Sequence, residues 1–552
     1  MHSLRQGFSR GGRIMSETQR TGTGDSSRCV TADACCGAER PVSAGRFEWL
    51  RPSRRSVVTA LGAALLLPRR LFGAQVLDHC GPTPKPPKPA QASAAEGLPP
   101  LPLPVVPQRR TEKKNPPRPP VIISKIRTES IADWGTDLND VNNLLIWMKS
   151  KLQVNFTYEE KPLGGIPLES GQVPVLYRTG HEAFRFGPQE HARLRRYLLR
   201  GGMIIFDACC GRPAFAESAR REIAAILPEH RLKPIGLDHP VFNCYYENAG
   251  FVRFTSHSLT QRPQLRSPGP SGIEGVEIAC RLAVVLSPHD LSCGWDMHTH
   301  ALSDTAYVES EDALKIGANL MAYATATRDL SVGQAQSKAY VDADPTKADK
   351  FRVGQLVHEG DWNPDPAGLR NLLDTVARTT ALRISFATEP VEPNADQLGR
   401  FPFLYMTGHE DFTWSERQVG ALRRYLANGG FLLADACCGR AKFDAAFRRE
   451  LGRVLGGAGR LQRLPATHPL YSTHHRIGSV GYSQAAMARL RVGRADRPRL
   501  ESVAMAGRTA VLYSPVGLNV GWRLKPVPYA VTCDADSALK LGVNSVVYAL
   551  AQ

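Results

Sequence analysis

The sequence predicts two tandem three-layer α/β domains, each with a mostly parallel, flavodoxin-like sheet covered by helices on both faces. Three observations carry that prediction. The first is duplication: residues 201–212 read Gly-Gly-Met-Ile-Ile-Phe-Asp-Ala-Cys-Cys-Gly-Arg and return at 429–440 as Gly-Gly-Phe-Leu-Leu-Ala-Asp-Ala-Cys-Cys-Gly-Arg, 228 residues later. That offset holds without a gap from Trp134/Trp362 to Glu222/Glu450, and about half of the positions in 174–215 recur identically in 402–443. The second is alternation of short apolar strands with helical segments, the pattern of a parallel sheet buried on both sides. The third is size, since two copies of about 200 residues form a pair of domains and not a solenoid. At 42% hydrophobic and 22% charged residues the chain can fill both cores.

The elements follow in order. Each copy opens on an apolar strand at 121–126 or 351–357, followed by a tryptophan loop and a helix carrying Leu144-Leu145 or Leu372-Leu373. A second strand is expected at 154–156 or 382–384, and a third at 175–177 leads into the loop Thr179-Gly180-His181-Glu182, repeated as Thr407-Gly408-His409-Glu410. A helix at 190–199, a Gly-Gly stop and a fully apolar strand at 203–206 come next. A late strand (282–286; 509–513) and a closing helix (312–324; 536–549) complete each unit. Ligands of such sheets bind beyond the carboxyl ends of the strands, and consecutive strands joined by one helix are usually neighbours. The loops bearing His181 and Cys209 are therefore expected to face each other, as are those of His409 and Cys437.

The net charge of +17 is concentrated before residue 121, where 19 Lys and Arg stand against 8 Asp and Glu. The folded part carries no aromatic-basic stripe, which argues against nucleic acid as a partner. Residues 1–74 read as a leader with a twin-arginine signal: Arg54-Arg55, an apolar run at 57–67, Pro68 and the small-residue exit Phe72-Gly73-Ala74. That run is too short to span a bilayer comfortably. The expected location is the periplasm or the outer face of the cytoplasmic membrane, with membrane contact only through the signal segment if it is uncleaved. Residues 75–120 are expected to form a linker, with fourteen prolines between 81 and 120 favouring a stiff polyproline spacer. The domains are placed at 121–328 and 350–552, joined by a linker at 329–349. Of twelve cysteines, only the adjacent pairs Cys209/Cys210 and Cys437/Cys438 recur in both copies; Cys244, Cys280, Cys293 and Cys533 have no counterpart, so no disulfide framework is indicated.

The motifs Tyr-x-Thr-Gly-His-Glu, Leu-Arg-Arg-Tyr-Leu-x-x-Gly-Gly, Asp before Cys-Cys-Gly, His239-Pro240/His468-Pro469, Ser-Pro with Gly294-Trp295/Gly521-Trp522, and Gly-x-Asn in the last helix together resemble the bacterial domain of unknown function 4159. The resemblance covers the chain from residue 121 onward, twice. It implies a flavodoxin-like fold of the class I glutamine amidotransferase type and no particular activity; the Cys-Cys pair departs from the family's pattern.

Three chemistries remain open. In amidotransferase-like folds a cysteine on a tight strand-to-helix turn is the nucleophile, which would put Cys209 in that place, Gly180 in the oxyanion loop and His289 with Asp290 as base and orienter. The second copy has Val516-Gly517 where the first has His289-Asp290. A zinc site is the second chemistry, with His181, Asp207 and Cys209, and His409, Asp435 and Cys437, as ligands, Cys210 and Cys438 standing beside them. The third is a noncatalytic binding or scaffold domain that presents the edge formed by Gly180, His181, Glu182, Asp207 and Cys210, or Gly408, His409, Glu410, Asp435, Cys437 and Cys438, to an envelope protein or a small ligand. The expectation is this third reading.

Overall fold

Along the strand after the first Gly-Gly, Met203 and Ile205 enter one core while Ile204 and Phe206 enter the other, the period-2 alternation of a strand sandwiched between two helix layers. A computed structural model describes residues 121–128, 131–152, 155–298, 303–330, 350–457, 460–523 and 525–552. The leader with Arg54 and Arg55, the proline-rich segment and nearly all of the 329–349 linker lie outside the described residues.

The first repeat contains strands β1 (Val121–Arg127), β2 (Phe156–Pro162), β3 (Val175–Gly180), β4 (Met203–Ala208), β5 (Lys233–Pro234), β6 (Glu274–Ile278) and β7 (Arg281–Ser287). They form one sheet in the order β2-β1-β3-β4-β7-β6-β5, parallel through β7 and antiparallel at β6. Helices α1 (Asp140–Leu152) and α5 (Ser310–Ala326) cover one face, α2 (Pro188–Leu199) and α3 (Pro213–Ile226) the other, and the short α4 (Ser292–Trp295) follows β7. The second repeat has the same order, β9-β8-β10-β11-β14-β13-β12, with β8 Gly354–Leu356, β9 Glu389–Val391, β10 Phe403–Gly408, β11 Phe431–Ala436, β12 Gln462–Arg463, β13 Glu501–Met505 and β14 Arg508–Ser514. Its helices are α6 (Pro366–Thr379), α7 (Glu416–Ala427), α8 (Ala441–Leu455) and α9 (Ala535–Ala551).

The duplicated motifs are largely framework. Gly201 and Gly429 have φ of 102° and 104°, a left-handed turn that favours glycine. A Cβ on Gly202 or Gly430 would fall inside the ring of Tyr197 or Tyr425. Each tyrosine hydroxyl shares its one proton between two carbonyls within hydrogen-bond distance, Val173 and Met203 or Pro402 and Phe431, which fastens the helix to its strands. Trp295 and Trp522 are buried and donate to Ala313 O and Ala538 O at 2.8 and 2.9 Å.

The second strands differ from expectation. β2 begins only at Phe156, and in the second repeat residue 384 makes a single bridge to Phe351 while the strand itself is Glu389–Val391. Both are edge strands with largely half-exposed positions, and edges are rich in polar residues that leave no apolar run to read.

Candidate metal centres at the two cysteine turns

β3 and β4 pair in register, Thr179 with Asp207 and Gly180 with Ala208, so the residues just beyond them meet. Gly180 is the last residue of its strand; a Cβ there would strike Phe215 and Asp133, and one on Gly408 would strike Phe443. After β4 the chain turns sharply through Cys209–Gly211, with Cys210 at φ 57° and Gly211 at φ 65°; after β11, Cys438 and Gly439 adopt φ of 54° and 67°. A cysteine held in the left-handed region costs roughly 1 kcal/mol or more, strain that tends to persist at functional sites.

In the first repeat this turn brings three sulfurs together. Cys209 and Cys210 Sγ are 3.9 Å apart, Cys209 and Cys293 3.9 Å, and Cys210 and Cys293 4.0 Å, all fully buried. Thiolates bound at about 2.3 Å to one tetrahedral zinc stand about 3.8 Å apart, so the triangle has the size of a zinc ligand face. His181 Nε2 lies 3.2 Å from Cys210 Sγ. The Cys209 thiol donates to Asp137 Oδ2 at 3.1 Å. Burial, with Asp140 nearby, pushes Asp137 up to about 6.

In the second repeat the ligand atoms of His409, Cys437 and Cys438 are joined by Cys280, all within 4.8 Å of one another, and Cys280 Sγ is 3.4 Å from Cys437 Sγ. Cys280 belongs to the first repeat, on the turn between β6 and β7. His409 is 2% exposed, and neither ring nitrogen makes a hydrogen bond. Its Nδ1 is nevertheless at ion-pair distance from Asp361 Oδ2 (3.0 Å) and Glu277 Oε2 (3.4 Å), the carboxylates lying off the line a hydrogen bond requires. Burial disfavours the charged imidazole, but the Cys280 sulfur and Asp361 outweigh it and hold His409 well above the usual range.

The other residues singled out in the sequence fall elsewhere. Both oxygens of Asp207 are taken by the backbone N–H groups of Leu291 and Ser292 at 3.1 and 2.9 Å, and Asp435 accepts from Leu518 and Asn519. These carboxylates tie the central strand to the loop after its neighbour and are not turned toward the sulfurs. Burial pushes Asp207 up to about 7 and Asp435 to about 6. His289 packs edge-on against Phe254 with its Nδ1 without a hydrogen bond, while Asp290 accepts from the N–H groups of Cys210 and Cys293 and from Ser292 Oγ. The expected Cys209–His289–Asp290 relay is therefore not assembled: Asp290 braces the cysteine turn, and does not orient the histidine. Glu182 is exposed, and Glu410 pairs with Lys442.

Sequence reasoning overlooked Cys293, Cys280 and Asp137. The signal for Cys280 was present in the alignment of the copies, because Ile278-Ala279-Cys280-Arg281 corresponds to Met505-Ala506-Gly507-Arg508. Cys293 precedes the Gly-Trp motif where the second copy has Val520.

A search of the curated proteins returns no match. The chain belongs to the family described as Domain of unknown function (DUF4159), which matches it twice, over residues 123–325 and 352–550.

Proposed function

We propose that this is a noncatalytic binding protein of the cell envelope whose two domains each hold a soft divalent cation of the zinc class at the cysteine turn. The observation that carries the reading is the triangle of Cys209, Cys210 and Cys293 sulfurs with edges of 3.9, 3.9 and 4.0 Å, beside His181. Thiolates with an imidazole or carboxylate as fourth donor select zinc over calcium or magnesium. The ligand atoms within 4.8 Å of one another are those of Cys209, Cys210, Cys293 and Asp290 in the first repeat and of Cys280, Cys437, Cys438 and His409 in the second, and a closed set of four protein ligands is the structural and not the catalytic kind of site. The metal would fix the turn that ends the central strand and so hold the carboxyl edge in one shape for a partner. Export through the Arg54-Arg55 signal belongs to the same proposal. The test is elemental analysis of protein purified without chelators: two zinc ions per chain are expected, and less than half an ion per domain would sink the reading.

Cysteine-dependent hydrolysis is the second reading, and one observation favours it at the second turn. Hydrogen bonds from Cys280 and Cys437, with His409 beside them, hold the Cys438 thiol well below its usual range, and Cys438 borders a cavity of about 300 Å³. Alkylation of Cys438 at neutral pH separates the two. Rapid labelling without a chelator favours the nucleophile, whereas labelling only after metal removal favours the ligand.

A further inference from the structure

The two cysteine turns share a backbone and differ in where the third sulfur comes from. In the second repeat the position of Cys293 is occupied by Val520, a buried residue packed in one cluster with Cys437 and Cys280. The missing thiol is supplied across the repeat boundary by Cys280, which is 6% exposed and 3.4 Å from Cys437. We propose that Cys280 is a metal ligand of the second repeat's centre, so that a zinc-class cation bound by Cys280, Cys437, Cys438 and His409 clasps the first repeat to the second. The clasp rests on the metal reading above and extends it from two separate centres to a linkage between domains.

Three further observations support it. Cys280 has φ 60° in a two-residue turn, and the second repeat fills the same turn position with Gly507 at φ 80°. A hairpin of this type favours glycine there, so the cysteine is a local misfit whose gain lies elsewhere. His409 is buried beside the sulfurs, its Nε2 without a hydrogen bond and its Nδ1 at ion-pair distance from Asp361 and Glu277. The same hairpin edge carries Glu277, which accepts from Arg440 at 2.6 Å and lies 2.8 Å from His239 Nε2. Arg440 follows the second cysteine turn directly, so the ion pair holds that turn against the hairpin that presents Cys280. Three thiolates and one imidazole complete a tetrahedron with no open position, the arrangement of a structural site. Bound to the metal, Cys280, Cys437 and Cys438 are thiolates and His409 is neutral, and the protons these groups carry beforehand leave to solvent.

The experiment measures zinc per chain and amide hydrogen exchange on the full chain, for the wild type, Cys280→Ser, Cys280→Asp and, as a control cysteine outside both centres, Cys244→Ser. Two ions are expected in the wild type and Cys244→Ser, and one in Cys280→Ser. In Cys280→Ser exchange should rise about tenfold or more at residues 274–281 and 437–440 while residues 209–212 stay protected. Aspartate tolerates the left-handed turn and ligates zinc, so Cys280→Asp should recover the second ion, which separates ligand loss from misfolding. Two ions retained by Cys280→Ser, or exchange unchanged at 437–440, would overturn the clasp and leave two separate centres standing. Absence of metal from the wild type would overturn both, as would a Cys280–Cys437 disulfide in protein that carries no zinc.

Discussion

The first repeat assembles its sulfur triangle from its own chain, Cys209, Cys210 and Cys293, whereas the second has the same turn and the same histidine but draws Cys280 from its neighbour. What has been kept between the copies is the strained Cys-Cys-Gly turn with its facing histidine; what has diverged is the source of the third sulfur, which comes from within the domain in the first repeat and from the other domain in the second.

The largest expected effects come from breaking the shared part. Cys209→Ser and Cys437→Ser should each remove one ion, and each should lower stability by several kcal/mol, because binding energy of a structural metal is folding energy; thermal unfolding with and without chelator measures this. If Cys437→Ser left unfolding unchanged, the second centre would have no structural role.

The comparison can be sharpened by rewiring. Val520→Cys in a Cys280→Ser background gives the second repeat the local cysteine that the first one has. Two ions per chain should return, now without the tie to residues 274–281, and failure to recover the second ion would show that position 520 does not reach the centre.

Each repeat carries a buried histidine of its own that should make it sensitive to acid, His289 in the first, which burial pushes down to about 4, and His358 in the second. His358 is buried, donates from Nε2 to Thr407 O at 2.9 Å and accepts from Gly360 N at 3.1 Å, and burial pushes it down to about 4. The unfolded chain takes up that proton near pH 6.5, so stability is full above this value and falls as pH drops toward 4, by about 3 kcal/mol at most. His358→Gln should flatten this slope in the second repeat's unfolding, as followed by hydrogen exchange between pH 7 and pH 4.5, and an unchanged slope would count against it.

The smallest effects should be the same in both repeats. Tyr197→Phe and Tyr425→Phe each remove a hydroxyl shared by two carbonyls, and each should cost about 1–2 kcal/mol in chemical denaturation. Unequal losses beyond that range would mean that the frameworks are less alike than their topology.

Much of this was legible from residue order. The Gly-Gly stop, the fully apolar strand and the adjacency of the histidine loop to the cysteine turn all follow from local pattern and the rule that consecutive parallel strands are neighbours. Asp207 was legible as a duplicated acid at the carboxyl edge but not as a brace, because its partners are the backbone amides of Leu291 and Ser292, 84 and 85 positions away, and backbone groups leave no sequence signature. The third sulfurs were hidden by the duplication itself. Comparing copies promotes what they share and sets aside what they do not, and Cys293 and Cys280 each occur in one copy only. A cysteine at a glycine's turn position was the readable clue.

The central claim is that both turns hold a metal through three sulfurs and one further donor, Asp290 or His181 in the first repeat and His409 in the second. X-ray absorption at the zinc edge of protein purified without chelators tests it most directly. The account predicts three sulfurs at about 2.3 Å and one nitrogen or oxygen at about 2.0 Å around each of two ions; a chain without metal, or zinc surrounded only by oxygen and nitrogen, would contradict it.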